Sequence, residues 1–205
     1  MNPEYIVGLD LGQKQDHTAI SVLEWAEIGE AVRDAATYEW KRDRVMRLVH
    51  LERIGLGTAY PGIVDRIREL LSTPQLAGCT LVVDATGVGL PVVDLLRAAR
   101  LDCRILPVTI TGGAGESNHS GSYSVPKRDL ITGLQVLFES GKFQMPDTAE
   151  TEDLIQELAG MRAKPSRSGS WRYEGSPDDL VLSLALAWWW ARKRAAWNWP
   201  KGPIF

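Results

Sequence analysis

The chain has 205 residues, 44% of them hydrophobic and 24% charged, and a net charge of −3. That balance fits one globular domain with a sizeable core and excludes a low-complexity or strongly charged disordered chain. No apolar run reaches the roughly 18 residues needed to cross a bilayer, and the acidity argues against tight stand-alone binding to nucleic acid.

In chain order, Glu4 to Leu11 (EYIVGLDL) is apolar and β-branched enough for a buried strand. Gly12 to His17 turns the chain, and Thr18 to Trp25 reads as the second strand of a hairpin. Ala26 to Asp43 is polar and reads as a long connection. Arg44 to Arg53 alternates as a third strand, which completes an antiparallel meander. Pro61 to Leu71 has helical apolar spacing (Ile63, Ile67, Leu70, Leu71), with Pro61 suited to a helix start. Thr80 to Val83 is a short buried strand, Leu90 to Arg100 a helix, and Arg104 to Val108 another strand: a parallel βαβ unit. Thr111 to Ser124 is rich in Gly, Ser and Asn and reads as a loop. Pro126 to Ser140 and Glu150 to Met161 are helices, Arg162 to Tyr173 a basic loop, and Asp178 to Ala195 the closing helix. The expected fold is a mixed α/β sheet, three antiparallel strands and then parallel βα units, within a single domain over 1–205.

The acids fall at particular places in this pattern. Asp10 lies in the first strand among apolar residues, where a lone carboxylate is costly unless paired or bound to metal. Asp84 ends a βαβ strand, at the edge where open α/β sheets place ligands. Gly87 and Gly89 follow it and leave room for a phosphate or another backbone. Asp178 and Asp179 open the last helix, where either alone would serve to complement the helix dipole. Together, the acids of two neighbouring strands and a late helix can converge at one sheet edge. Hard oxygen ligands without accompanying His or Cys favour Mg²⁺ or Mn²⁺ over zinc. Two such ions about 4 Å apart suit phosphodiester cleavage.

Several segments carry a resemblance, in order, along almost the whole chain. They are Val7-Gly8-Leu9-Asp10-Leu11-Gly12 with Asp16-His17-Thr18-Ala19-Ile20; Val83-Asp84-Ala85-Thr86-Gly87-Val88-Gly89; Val125-Pro126-Lys127-Arg128-Asp129-Leu130 with Gly141-Lys142-Phe143-Gln144-Met145-Pro146; and Asp178-Asp179-Leu180-Val181 with Ala185-Leu186-Ala187. The set resembles the C-terminal nuclease domain of the phage terminase large subunit. The resemblance implies a ribonuclease H-like fold and a metal-dependent endonuclease that cuts double-stranded DNA, with little sequence preference, as a viral genome is packaged. It also implies two Mg²⁺ or Mn²⁺ ions. Asp10 would bridge them, Asp84 would supply a second ligand, and Asp179 a third with Asp178 in support. Asp16 would be an accessory ligand or a turn residue. Leu182 stands three residues after Asp179, where related folds often place a second acid. Terminase large subunits carry an ATPase, and this chain has no Gly-x4-Gly-Lys-Ser/Thr phosphate loop. A separate motor domain and other packaging proteins, the portal and the small subunit, are therefore the implied partners.

For DNA, the basic stretch Arg162, Lys164, Arg167 and Arg172, with Lys127 and Arg128, would hold phosphates without reading sequence. His17 and His119 receive no role. Five of eight tryptophans lie between Trp188 and Trp199, at spacing that reads as core or as a docking surface for a partner domain. Cys79 and Cys103 make no disulfide framework and no metal spacing, and Met1 to Glu4 shows no secretory signal, so the cytoplasm is the expected setting. Competing readings are a Holliday-junction resolvase of the same fold, a non-catalytic packaging module, and an actin-like or sugar-kinase nucleotide binder, whose phosphate loops also begin like Gly8-Leu9-Asp10-Leu11-Gly12.

Overall fold

The computed structural model describes residues 4–12, 16–33, 35, 38, 40–87, 89–113, 115–165, 171–174 and 177–194. Its centre is an eight-stranded mixed sheet in the order β6-β7-β5-β4-β1-β2-β3-β8. The strands are β1 (Glu4–Asp10), β2 (Thr18–Arg33), β3 (Trp40–Ile54), β4 (Cys79–Asp84), β5 (Cys103–Thr111), β6 (Ser117–His119), β7 (Ser122–Pro126) and β8 (Phe143–Gln144). The first three form the expected antiparallel meander, while β4 and β5 run parallel to β1. The helices are α1 (Tyr60–Leu71), α2 (Gly89–Ala98), α3 (Lys127–Glu139), α4 (Ala149–Gly160) and α5 (Asp179–Arg194).

Alternation along the strands divides the core in two. Val7 and Leu9 of β1, with Leu81 and Val83 of β4, face the cluster closed by α1 and α2. Ile6 and Val82 face the opposite cluster, built on α3, α4 and α5. With a side-chain period of two, Gly8, Asp10 and Asp84 must share this second face. It is covered above all by α5, in which every residue from Asp179 to Ala191 is buried. That explains an apolar helix with no polar side: the sheet lies under it and α3 lies over it. Trp188 donates to the Gly133 carbonyl of α3 at 2.8 Å, so Trp188, Trp189 and Trp190 are core residues. Trp197 and Trp199 lie outside the described residues.

Three expectations need correction. The polar stretch 26–43 is not a connection; β2 and β3 continue through most of it, pairing as far as Arg33 with Trp40. Polar residues suit such an arm because the rest of the sheet leaves its faces to solvent. The segment 111–124 is not a loop either. β5 runs to Thr111, β7 pairs parallel to it, and β6 folds back on β7. Tyr123 gains an apolar neighbour there, meeting Trp189 edge-on with ring centroids 5.2 Å apart. Finally, the basic loop 162–173 contains a separate two-stranded hairpin, β9 (Arg162–Pro165) and β10 (Trp171–Glu174). The short β8, parallel to β3, gave no sequence signal.

Candidate metal centre

The sheet register alone brings the first two acids together. Gly8 pairs with Val82 and Leu9 with Val83 in the parallel β1–β4 ladder. The next row sets Asp10 opposite Asp84, on strands about 4.8 Å apart and on the same face. Both stand at the carboxyl ends of their strands.

A close approach brings in the helix. A Cβ on Gly8 would lie 1.9 Å from the Ser183 carbonyl oxygen, so α5 crosses β1 with backbone nearly touching backbone. From that crossing, Asp10 lies two strand residues onward, about 6.6 Å. Asp179 lies four helical residues back, about 6 Å. The two distances match, and the first turn of α5 is delivered over Asp10. A side chain at position 8 would lift the helix away.

Electrostatics register the crowding. Asp10 is 6% exposed, and burial first, then the charges of Asp84, Asp179 and Asp178, hold its carboxyl well above the usual carboxylate range. Burial raises Asp84 too, but the Thr86 hydroxyl and amide, both donating to its Oδ1, pull the other way. The Thr86 hydroxyl oxygen in turn accepts from the Ile110 amide at 2.8 Å, fixing the turn after β4 to β5. Asp179 is pushed up to about 6, by burial and then by the charge of Glu157, against the pull of Arg53. Asp178 forms an ion pair with Lys127, from the first turn of α3.

Four carboxylates at one sheet edge, with the buried Asp10 under the negative charge of the other three, form a donor set for hard divalent cations. Among the described residues, no three His, Cys, Asp or Glu side chains are drawn together into a ready-made cage. The acids are neighbours, with Lys127 engaging Asp178 and Arg53 standing near Asp179. The residue types fit Mg²⁺ or Mn²⁺; the side chains would have to close around it.

Other candidate residues are placed less decisively. Asp16 is exposed in the bend between β1 and β2. Arg128 bonds to its neighbour Asp129 at 3.1 Å, which is an ordinary surface pairing. Arg162 donates to the Ala159 and Met161 carbonyls, capping the end of α4. Lys164 is exposed on β9. Arg167 and the side chain of Arg172 lie outside the described residues.

Sequence reasoning missed a second group beside the acids. Glu157 of α4 accepts from the Val181 amide at 3.1 Å, capping α5 from another element. Arg53, near the end of β3, pairs with Glu157 and with Asp153. His17 places Nδ1 3.0 Å from the Ile54 carbonyl, so that nitrogen carries a proton and donates it. An acid at a buried helical position (Glu157) was the one available signal.

No family model matches the chain. The terminase large subunit of Thermus virus P23-45 is 28% identical over 187 residues, covering 90% of this chain and 31% of the relative. The chain thus spans about a third of that relative's length. The large terminase nuclease of thermophilic phage G20c, solved with bound magnesium, superposes with a TM-score of 0.62 at 25% identity, covering 91% of this chain and 81% of that one. The nuclease domain of the Thermus phage P74-26 large terminase gives 0.59 at 25% identity, covering 91% and 78%. The fold is ribonuclease H-like, and the resemblance read from the sequence segments is borne out.

Proposed function

We propose that this chain is a divalent-metal-dependent DNA endonuclease domain of the terminase type, with Asp10, Asp84, Asp179 and Asp178 as its metal-binding acids. The observation that carries the reading is Asp10 set beside Asp84 in one sheet row, beneath a helix whose first turn adds Asp178 and Asp179. Likeness to a terminase nuclease solved with bound magnesium supports it.

Within this reading, Asp10 lies between the other acids and would be shared by two Mg²⁺ or Mn²⁺ ions. Asp84 and the Asp178–Asp179 pair would complete the two sides. Bound there, such ions would activate water as the nucleophile and stabilise the departing oxygen of a phosphodiester. Thr86 holds one oxygen of Asp84 through two hydrogen bonds and leaves the other for a cation. Lys127, now held by Asp178, can exchange that partner for a DNA phosphate as the acid turns to a cation. Lys164 and the rest of the β9–β10 hairpin precede α5 directly and would add backbone contacts without sequence readout. The substrate in this reading is double-stranded DNA, and an ATPase motor domain, a portal and a small subunit would be its partners, in the cytoplasm of the host.

The test is cleavage of supercoiled plasmid in Mn²⁺ by wild type beside Asp10→Asn. Wild type is expected to nick and linearise the plasmid, and Asp10→Asn to lose roughly a hundredfold or more. An inactive wild type, or an active Asp10→Asn, overturns the reading.

A further inference from the structure

Arg53 belongs to the acid cluster by register, although nothing in its sequence context marks it. Asp10 pairs with Ala19 across β1–β2, and Ala19 pairs with Arg53 across β2–β3. One row therefore reads Asp84, Asp10, Ala19, Arg53, all on the face under α5. Ala19 is fully buried and small, leaving a trough across which Arg53 reaches toward the first turn of the helix.

The guanidinium is committed on one side only. Its Nη atoms meet Glu157 and Asp153. Among the described residues its buried Nε has no hydrogen-bond acceptor, and it stands 3.8 Å from Asp179 Oδ2. A buried orphan N–H is costly, and the acceptor it faces is a carboxylate too far by less than an ångström. Glu157 accounts for the geometry: it caps α5 through the Val181 amide while anchoring Arg53, tying guanidinium and helix start to one carboxylate.

We propose that Arg53 is a positioning residue for cation binding: held by Glu157, it presents its Nε–H to one oxygen of Asp179 and leaves the other to be shared with Asp10 across a divalent ion. The guanidinium also offsets the charge that Glu157 brings beside Asp179. This inference rests on the metal-site reading above, and its test separates the two.

The comparison is between Glu157→Gln and the double variant Arg53→Met with Glu157→Gln. Glutamine keeps an acceptor for the Val181 amide, and the double variant leaves neither Arg53 without Glu157 nor Glu157 without Arg53. Binding is read as the Mn²⁺ concentration giving half-maximal thermal stabilisation, and by calorimetry, besides plasmid cleavage. Glu157→Gln, which keeps the Val181 cap but gives up the carboxylate oxygen that anchors Arg53, is expected to raise half-saturation about threefold. The double variant is expected to need about tenfold more Mn²⁺, as is usual when a group orienting a metal ligand is removed, while cleavage at saturating Mn²⁺ falls less. Half-saturation equal in the two variants, with wild type binding Mn²⁺ normally, overturns the inference and leaves the site intact. A wild type that binds no Mn²⁺ overturns the site itself. Should the double variant not fold, Arg53→Lys is read instead: it keeps the charge but lacks Nε, and is expected to weaken binding about threefold, equality with wild type overturning the proposal.

Discussion

Asp10 is a carboxylate kept where its charge is least welcome, among Ile6, Val82 and three other aspartates. The metal-free protein should therefore gain from neutralising it: Asp10→Asn is expected to raise the thermal midpoint in chelator at neutral pH by a few degrees, on the order of 1 kcal/mol, while abolishing cleavage. Differential scanning fluorimetry checks this. Asp179 gives the pH dependence. Its folded carboxyl sits at about 6 against an ordinary 3.8, so between those values the folded state holds more proton than the unfolded one. Stability attributable to Asp179 is full below pH ~4 and falls as pH rises through ~6. In chelator, the melting temperature of wild type relative to Asp179→Asn is expected to fall over that interval, and Mn²⁺ should restore it above pH ~6. Asp16, exposed in its bend, should tolerate Ala with activity within about twofold in the plasmid assay.

At the scale of elements, the site depends on how closely α5 crosses β1. Gly8→Ala places a methyl into the Ser183 carbonyl, and neither backbone can yield without disturbing the sheet or the helix. A loss of about 2–3 kcal/mol in urea unfolding is expected. Cleavage should fall with it even under conditions where the variant is folded, because the first turn of α5 would no longer meet Asp10. The strands were legible because Glu4–Leu11 and Thr80–Val83 are short apolar, β-branched runs with few polar interruptions. Where that signal weakened, the reading failed. Residues 26–43 are polar on both faces of an arm that projects past β1, and β6 and β7 draw their stability from an edge pairing and from Trp189, distant in sequence.

For the whole molecule, a net charge of −3 over 205 residues implies weak DNA binding by this chain alone. Binding to a short duplex, followed by fluorescence anisotropy, is expected to weaken steeply with salt. Replacing Lys127 and Lys164 together by Ala should reduce the slope by about one for each phosphate left without its lysine, with little dependence on sequence. Arg162→Ala should change the slope less, because that side chain is committed to the end of α4. An unchanged slope in the Lys127/Lys164 variant would place the DNA path elsewhere. The sequence by itself determined the meander, the parallel βαβ unit, and the acids at strand and helix ends, because each is written in local periodicity and in residue types costly to bury. Only the tertiary structure decided that Asp10 opposes Asp84, that Gly8 admits α5, and that Arg53 and Glu157 join the group. Those facts depend on ladder register and on contacts between residues as distant in sequence as Arg53 and Glu157 or Gly8 and Ser183, and no local pattern encodes them.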